Sequence, residues 1–111
     1  MNTVNNDVLE EITQLIVMGV HPIKVILFGS YAQGNAGKGS DLDFLIVEEV
    51  PFDATRSRRK EIGNIHRLLR GIRIPIDILV YSKDEFDRWT SSKNHVVVRA
   101  VKEGRILYER P

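Results

Sequence analysis

Three short, largely apolar segments most constrain how this chain can fold. They cover residues 23–28, 41–47 and 74–81, and each has about the length of one buried β-strand. The segments around them carry apolar residues at every third or fourth position, which is the repeat of an amphipathic helix. Strands that alternate with helices in this way predict an α/β (α+β) fold.

The two longer helices have recognisable ends in the sequence. The first is expected to begin at one of the capping residues at positions 5–7 and to close at Gly19. The second is predicted over residues 55–70, with Gly71 well placed to end it.

The last part of the chain predicts two more helices and a strand. Ser82 and Glu85 have the spacing of a capping box, which opens a short helix. Residues 96–101 fit a helix by spacing or a strand by their β-branched side chains, and we predict a helix. Residues 105–108 fit an edge strand. The predicted order is helix, strand, turn, strand, helix, strand, helix, helix, strand.

Composition limits the class of protein. A chain of 111 residues predicts one domain over residues 1–111, and 42% hydrophobic with 28% charged residues is ordinary for a globular protein. The sequence has no cysteine, no apolar run of the roughly 20 residues that span a bilayer, and no secretory signal at its start. We therefore expect a cytoplasmic protein without a membrane association.

The net charge of the chain and its distribution also limit the classes of function that we expect. A net charge of +1 argues against a protein that coats a nucleic-acid duplex, so we expect no direct nucleic-acid binding. Residues 56–73 are nevertheless strongly basic, with Glu61 as the opposing acid. A solvated helix face is the favoured interpretation of this segment, and a phosphate-rich ligand or an acidic partner surface is the alternative.

Three acidic residues are candidates for a metal site. Asp41 and Asp43 are separated by one residue on a strand, so their carboxylates point to the same side. Asp77 lies between two isoleucines in the third strand, where an unpaired charge in the interior would need compensation. If the second and third strands are neighbours, the three carboxylates converge and can bind two Mg²⁺ ions about 3.5 to 4 Å apart.

The end of the first strand is a candidate anion site. Gly29 and Ser30 follow that strand directly and begin a short helical stretch. Glycine allows the backbone to approach a phosphate closely, and the serine hydroxyl adds a hydrogen-bond donor.

Each of these signals has an ordinary explanation when it is taken alone. The Gly-Ser pair can be a simple turn, the Asp-x-Asp pair can be solvated, and Asp77 can be an edge residue that faces water. Their combination in this order favours a site that binds metal ions and phosphates.

The combination resembles a known family. The sequence Gly-Ser-Tyr-Ala-Gln-Gly at residues 29–34, followed by Ser-Asp-Leu-Asp at residues 40–43, resembles the signature of the DNA polymerase beta-like nucleotidyltransferase superfamily. The likeness is greatest to its minimal nucleotidyltransferases, and it extends over essentially the whole chain, including the closing segment 101–108. This resemblance implies the nucleotidyltransferase fold, a small mixed β-sheet flanked by helices.

The resemblance also implies a reaction and its residues. A nucleoside monophosphate would move from a nucleoside triphosphate, here ATP, to an acceptor hydroxyl. Asp41 and Asp43 would ligate both of two Mg²⁺ ions, and Asp77 would complete the ion nearer the acceptor and help to deprotonate its hydroxyl. Gly29 and Ser30 would hold the outgoing phosphates. The residues implied in nucleotide binding are Gly29, Ser30, Gly34 and Ser40.

One position departs from the family pattern. Gln33 stands where the family often has a basic residue. A phosphate-facing cation would then be missing, or it would be supplied by Lys38 or by the segment 56–73.

The likeness to minimal nucleotidyltransferases further implies a partner. Such proteins are typically encoded beside a HEPN-domain protein, commonly an RNase toxin, and several act as antitoxins that adenylylate a tyrosine of that toxin. This protein adenylyltransferase activity is the leading hypothesis, with assembly as a homodimer or a hetero-oligomer left open. The alternative is a non-catalytic binding module that neutralises its partner by complex formation. A metal nuclease ranks last because it gives no reason for Gly29 and Ser30.

Overall fold

A four-stranded mixed β-sheet organises the chain. The computed structural model describes residues 4–34, 36–37, 40–93 and 95–111. Within them the elements are α1 (Asn6–Val20), β1 (Lys24–Phe28), α2 (Ser30–Gln33), β2 (Leu42–Glu48), α3 (Arg58–Leu68), β3 (Ile76–Ser82), α4 (Lys83–Trp89), α5 (Val96–Glu103) and β4 (Arg105–Glu109). The predicted α/β order is confirmed, and the predicted turn after β1 contains the short helix α2.

The strands lie in the order β3-β2-β1-β4. β1 is antiparallel to both β2 and β4, whereas β2 and β3 are parallel. A parallel pair cannot be joined by a tight hairpin, and α3 supplies the longer crossover. In the strand order, β3 and β4 lie at the two edges of the sheet. This confirms the predicted edge strand near the end of the sequence.

Helices cover both faces of this sheet. Phe44 and Ile46 of β2 face α1 and α3, whereas Leu45 and Val47 face α4 and α5. By the alternation of a strand, Asp43 lies on the same face as Leu45, the face covered by α4 and α5. None of the helices in the described ranges has both the length and the apolarity to cross a bilayer.

The first helix continues past Gly19, so the predicted end at that glycine is wrong. α1 closes instead at His21, which has a left-handed backbone (φ 50°) and donates its N–H to the carbonyl oxygen of Val17 at 3.1 Å. Gly19 has a packing role, because a Cβ atom there would lie 2.3 Å from Leu68 Cδ1 on α3. The glycine thus permits a close approach of α1 and α3.

The helix α3 is shorter at both ends than predicted. Asp53 Oδ1 accepts a hydrogen bond from the backbone N–H of Arg56, which holds the preceding residues in a turn, and Ser57 then caps the helix. The C-cap is Leu69, so α3 ends before Gly71.

The two short helices match their predictions. Ser82 Oγ accepts from the N–H of Glu85, and the Glu85 carboxylate accepts from the N–H of Ser82, which completes the predicted capping box. Residues 96–101 are helical, as predicted. His95 begins α5 by accepting a hydrogen bond from the N–H of Val97 at Nδ1, and its ring stacks on Trp89 with 4.1 Å between centroids.

Candidate active site

The turn after β1 requires a glycine. Gly29 has φ 75° and ψ −159°, a combination that is essentially restricted to glycine. α2 begins directly after it at Ser30, and Gly34 (φ 76°) caps the end of α2. A Cβ atom on Gly29 would lie 2.3 Å from Asp43 Oδ2. The Asp43 carboxylate therefore rests against the bare backbone of this turn.

The second and third strands bring two of the predicted acids together. β2 and β3 are neighbours, as the convergence of the acids required, and Asp43 is in register with Asp77. In-register residues on adjacent strands lie about 5 Å apart and point to the same face. The two carboxylates are therefore side by side on the face that α4 and α5 cover.

The pKa of Asp43 is affected by its burial and by the neighbouring acids. It is raised above its ordinary value of 3.8, first by partial burial and then by the negative charges of Asp77 and Asp41. A hydrogen bond between the side chains of Asp43 and Asp77, which requires a proton, acts in the same direction. Asp43 is thus the acid that interacts electrostatically with both of the others.

Asp41 lies at the same end of the sheet, one residue before β2 begins. The N–H of Leu42 donates to the carbonyl oxygen of Pro75 at 2.9 Å, which ties the start of β2 to the start of β3. Asp41 is exposed beside this tie. Ser40 Oγ accepts a hydrogen bond from the N–H of Gly37 at 2.9 Å, just before Asp41.

Asp77 is exposed on the edge strand β3, so the interpretation of this acid as an edge residue that faces water is confirmed, and the alternative of a charge buried in an apolar strand is wrong. Asp77 is the second residue of β3, and the residue before it is only partly buried. Burial, and the need for compensation that comes with it, instead applies to Asp43, which is half-buried on the central strand β2.

The donor set fits a hard cation. In the residues that the structure describes, no three His, Asp or Glu side chains form a group ready to hold a metal ion by themselves. Mg²⁺, however, prefers one or two carboxylates together with water and substrate phosphates to a complete cage of protein ligands. Adjacent carboxylates with mutual repulsion, open to solvent at Asp41 and Asp77, meet this requirement.

The first two arginines of the basic segment 56–73 pair with other acids and not with the three aspartates. Arg56 forms ion pairs with Glu48 and Glu61, and Arg58 pairs with Glu85. Glu48 is the last residue of β2, about 16 Å along the strand from Asp43 at a rise of about 3.3 Å per residue. These arginines hold α3 and α4 to the far end of the sheet.

The Glu48 side chain is buried, and its Oε2 atom has no hydrogen-bond partner within the described residues. Burial and the neighbouring carboxylate of Glu61 raise the pKa of Glu48 to about 8, although the Arg56 guanidinium acts in the opposite direction. Burial is the largest of these influences, so the pKa is raised.

The other predicted phosphate cation, Lys38, lies outside the described residues. Gln33, the residue that departs from the family pattern, donates from Nε2 to Glu103 Oε2 at 3.0 Å. This contact links α2 to α5.

The last helix was not predicted to contribute to the site. Val96, Arg99 and Glu103 lie on one side of α5 and line a cavity of about 120 Å³ together with Gly29. Their spacing of three and four residues was the available signal, but the apolar residues of the same helix dominated the pattern.

Sequence comparison relates this chain to a known family and to a named protein. Residues 6–108 match the family model described as a nucleotidyltransferase domain. A protein of Methanocaldococcus jannaschii, named as a candidate protein adenylyltransferase, is 36% identical over 88 residues, which cover 77% of each chain.

Solved structures share the fold. A candidate nucleotidyltransferase from Sulfolobus solfataricus superposes with a TM-score of 0.64 at 23% identity, over 94% of this chain and 79% of that one. An antitoxin complex with a tri-AMPylated HEPN toxin from Shewanella oneidensis superposes with a TM-score of 0.54 at 17% identity, over 94% and 72% of the two chains. A toxin–antitoxin complex with AMP-PNP gives 0.61 at 20% identity, over 91% and 73%.

The extent of the family match, from the first helix to the last strand, means that the chain belongs to the nucleotidyltransferase domain family and is a nucleotidyltransferase.

Proposed function

We propose that this protein transfers AMP from ATP to a tyrosine hydroxyl of a HEPN-domain toxin and thereby acts as an antitoxin. The observation that carries the proposal is the contact of Gly29 with Asp43, beside Asp77 in register on the next strand. This contact supports the proposal because a glycine turn can accommodate phosphates and neighbouring carboxylates can bind Mg²⁺. The name of the Methanocaldococcus jannaschii relative supports protein adenylylation, and the tri-AMPylated toxin in the Shewanella oneidensis complex supports the partner.

The proposed reaction forms a bond between the acceptor oxygen and the α-phosphorus and breaks the bond from that phosphorus to the β-phosphate oxygen. Asp41, Asp43 and Asp77 would hold Mg²⁺. When bound, the metal supplies positive charge that stabilises the phosphates in the transition state. Pyrophosphate is the leaving group, and the hydroxyl proton passes to Asp77, whose exposed carboxylate can accept it as a general base.

The turn after β1 has the complementary role of holding the triphosphate. Gly29 exposes backbone that a phosphate can approach, and the Ser30 hydroxyl can donate a hydrogen bond to it. Gly34 caps the end of α2, and Ser40, two residues before β2 begins, accepts a hydrogen bond from the N–H of Gly37. Gly29, Ser30, Gly34 and Ser40 are the proposed nucleotide-binding set.

The test is a transfer assay. The protein is incubated with Mg²⁺, ATP labelled at the α-phosphate, and the HEPN-domain protein encoded beside its gene. We expect label on a tyrosine of the partner, loss of that label with Asp43→Asn, and retention with Asp84→Asn, an exposed acid on α4.

Two results would reject parts of the proposal. A tight complex that inhibits the toxin without any label would support the non-catalytic binding module instead. Label on RNA or on a small molecule, with none on the protein partner, would retain the nucleotidyl transfer and reject the acceptor.

A further inference from the structure

A small cavity adjoins the glycine turn on the side of α5. Its volume is about 120 Å³. A cavity needs only about 10–15 Å³ of this kind of volume to hold one water molecule, so there is room for phosphate groups. The lining residues come from the end of β1, from α2 and from one side of α5, and they are Phe28, Gly29, Gln33, Val96, Arg99 and Glu103.

The cavity is close to the acidic centre but distinct from it. Gly29 belongs to both, because it lines the cavity and also lies against Asp43 Oδ2. A nucleotide whose reacting phosphorus is near Asp43 would therefore have its remaining phosphates within reach of the cavity. These are the phosphates that leave as pyrophosphate.

Among the described residues that line the cavity, Arg99 carries the positive charge. Its side chain is exposed, and within the described ranges its guanidinium makes neither a hydrogen bond nor an ion pair. A guanidinium binds phosphate oxygens through paired donors and keeps its charge at all working pH values.

The neighbouring acid is held by another residue. Glu103 lies one helical turn after Arg99, a spacing at which the two side chains can pair. Instead, Gln33 Nε2 donates to Glu103 Oε2 at 3.0 Å across the cavity. This hydrogen bond holds one carboxylate oxygen of Glu103 toward α2, so the guanidinium of Arg99 stays available to bind an anion.

We propose that Arg99 binds the outgoing phosphates of the nucleotide in this cavity, and that Gln33 is a positioning residue that holds Glu103 away from Arg99. This inference rests on the proposed function, since it assigns a further residue to the same nucleotide site.

The test compares ligands that differ only in their phosphates. Binding of ATP, AMP and inorganic tripolyphosphate to the full chain is measured by calorimetry with Mg²⁺ and without a partner. Arg99→Ala should weaken ATP and tripolyphosphate at least about 10-fold, as expected for the loss of one charge-assisted hydrogen bond, and should change AMP less than about 2-fold. Arg88→Ala, an exposed arginine on α4, is the matched control and should change none of them.

A second pair of variants tests the positioning role. Gln33→Ala should weaken ATP binding because it releases Glu103 to pair with Arg99. Adding Glu103→Gln should restore the affinity, a rescue that general damage to α2 would not allow.

The outcomes separate this inference from the proposed function. Unchanged ATP affinity in Arg99→Ala, or equal weakening of ATP and AMP, would overturn the inference and leave the function standing. Arg99-dependent binding of tripolyphosphate without binding of ATP would keep the phosphate cavity and reject the function. A wild-type protein that binds neither ligand would reject both.

Discussion

Gly29→Ala is the substitution whose effect follows most directly from the geometry. The new Cβ would lie 2.3 Å from Asp43 Oδ2, and real Cβ contacts are essentially never shorter than 3.0 Å, so the carboxylate must move by at least about 0.7 Å. Distances from a metal to its ligands tolerate only about 0.2 Å. A misplacement of about 1 Å costs roughly 10²-fold in rate, and we expect AMP transfer to fall by about that factor.

The same substitution should also destabilise the fold, for two separable reasons. Alanine is strained at φ 75° and ψ −159° by about 1–3 kcal/mol. The contact with Asp43 adds to this strain. In an Asp43→Ala background the nearest Asp43 atom left is Cβ at 3.5 Å, an ordinary contact, so only the backbone strain remains.

Urea unfolding of the four proteins in this cycle measures the difference. We expect Gly29→Ala to cost at least about 0.5 kcal/mol more in the wild type than in the Asp43→Ala background. Gly71→Ala, which adds a Cβ into open space without a positive φ, is the control and should stay within about 0.5 kcal/mol of the wild type. A folded Gly29→Ala protein that transfers AMP at the wild-type rate would refute the reasoning.

Three further predictions concern the carboxylates and α5. Asp43→Asn should lower transfer at least about 10²-fold while the metal-free protein unfolds at the same or a higher urea concentration, because like-charge repulsion is removed. The pKa of Glu48 is raised to about 8 in the folded state, so the folded protein keeps a proton that the unfolded chain loses near pH 5. The free energy of unfolding should therefore fall as the pH rises from about 5 to about 8, and Glu48→Gln should reduce that fall in urea titrations. His95→Ala removes the cap of α5 and the stack on Trp89, and it should cost about 1.5–2.5 kcal/mol in thermal unfolding.

The predictions on Glu48 and His95 each have a control variant. Glu49→Gln changes an exposed neighbour and should keep the pH dependence, and His66→Ala changes an exposed histidine on α3 and should cost little. Unfolding of Asp43→Asn would indicate a structural role for that acid. A flat pH dependence in the wild type, or equal costs for the two histidine variants, would contradict the corresponding argument.

Local patterns predicted the parts of the site that lie on consecutive strands. The alternation around Asp43 placed Asp41 and Asp43 on one side of a strand, but the position of Asp77 beside Asp43 depended on the second and third strands being neighbours, which the structure confirms. The capping box at Ser82 was likewise readable, because both of its partners lie within one helical turn. The contributions of Ser30 and Gly34 to nucleotide binding stay predictions.

The remaining features depend on contacts between distant parts of the chain. From the sequence alone, Gly19 is predicted to end a helix, because its contact with Leu68 on another helix is visible only in the structure. The exposure of Asp77 depends on how far the covering helices extend, and the pairing of Arg56 with Glu48 depends on the path of α3. The hydrogen bond from Gln33 to Glu103 joins residues that no sequence pattern relates.

In the proposed reaction, the position of Asp77 on an outer strand sets what kind of acceptor can be used. A deep pocket admits only molecules small enough to enter it, whereas a proton acceptor at the rim can be reached by a side chain mounted on a folded surface. The size of the acceptor is then unrestricted by the catalytic residues. Discrimination among acceptors has to come from the surrounding surface, so variants that redirect the protein to a new target should be sought outside the three aspartates.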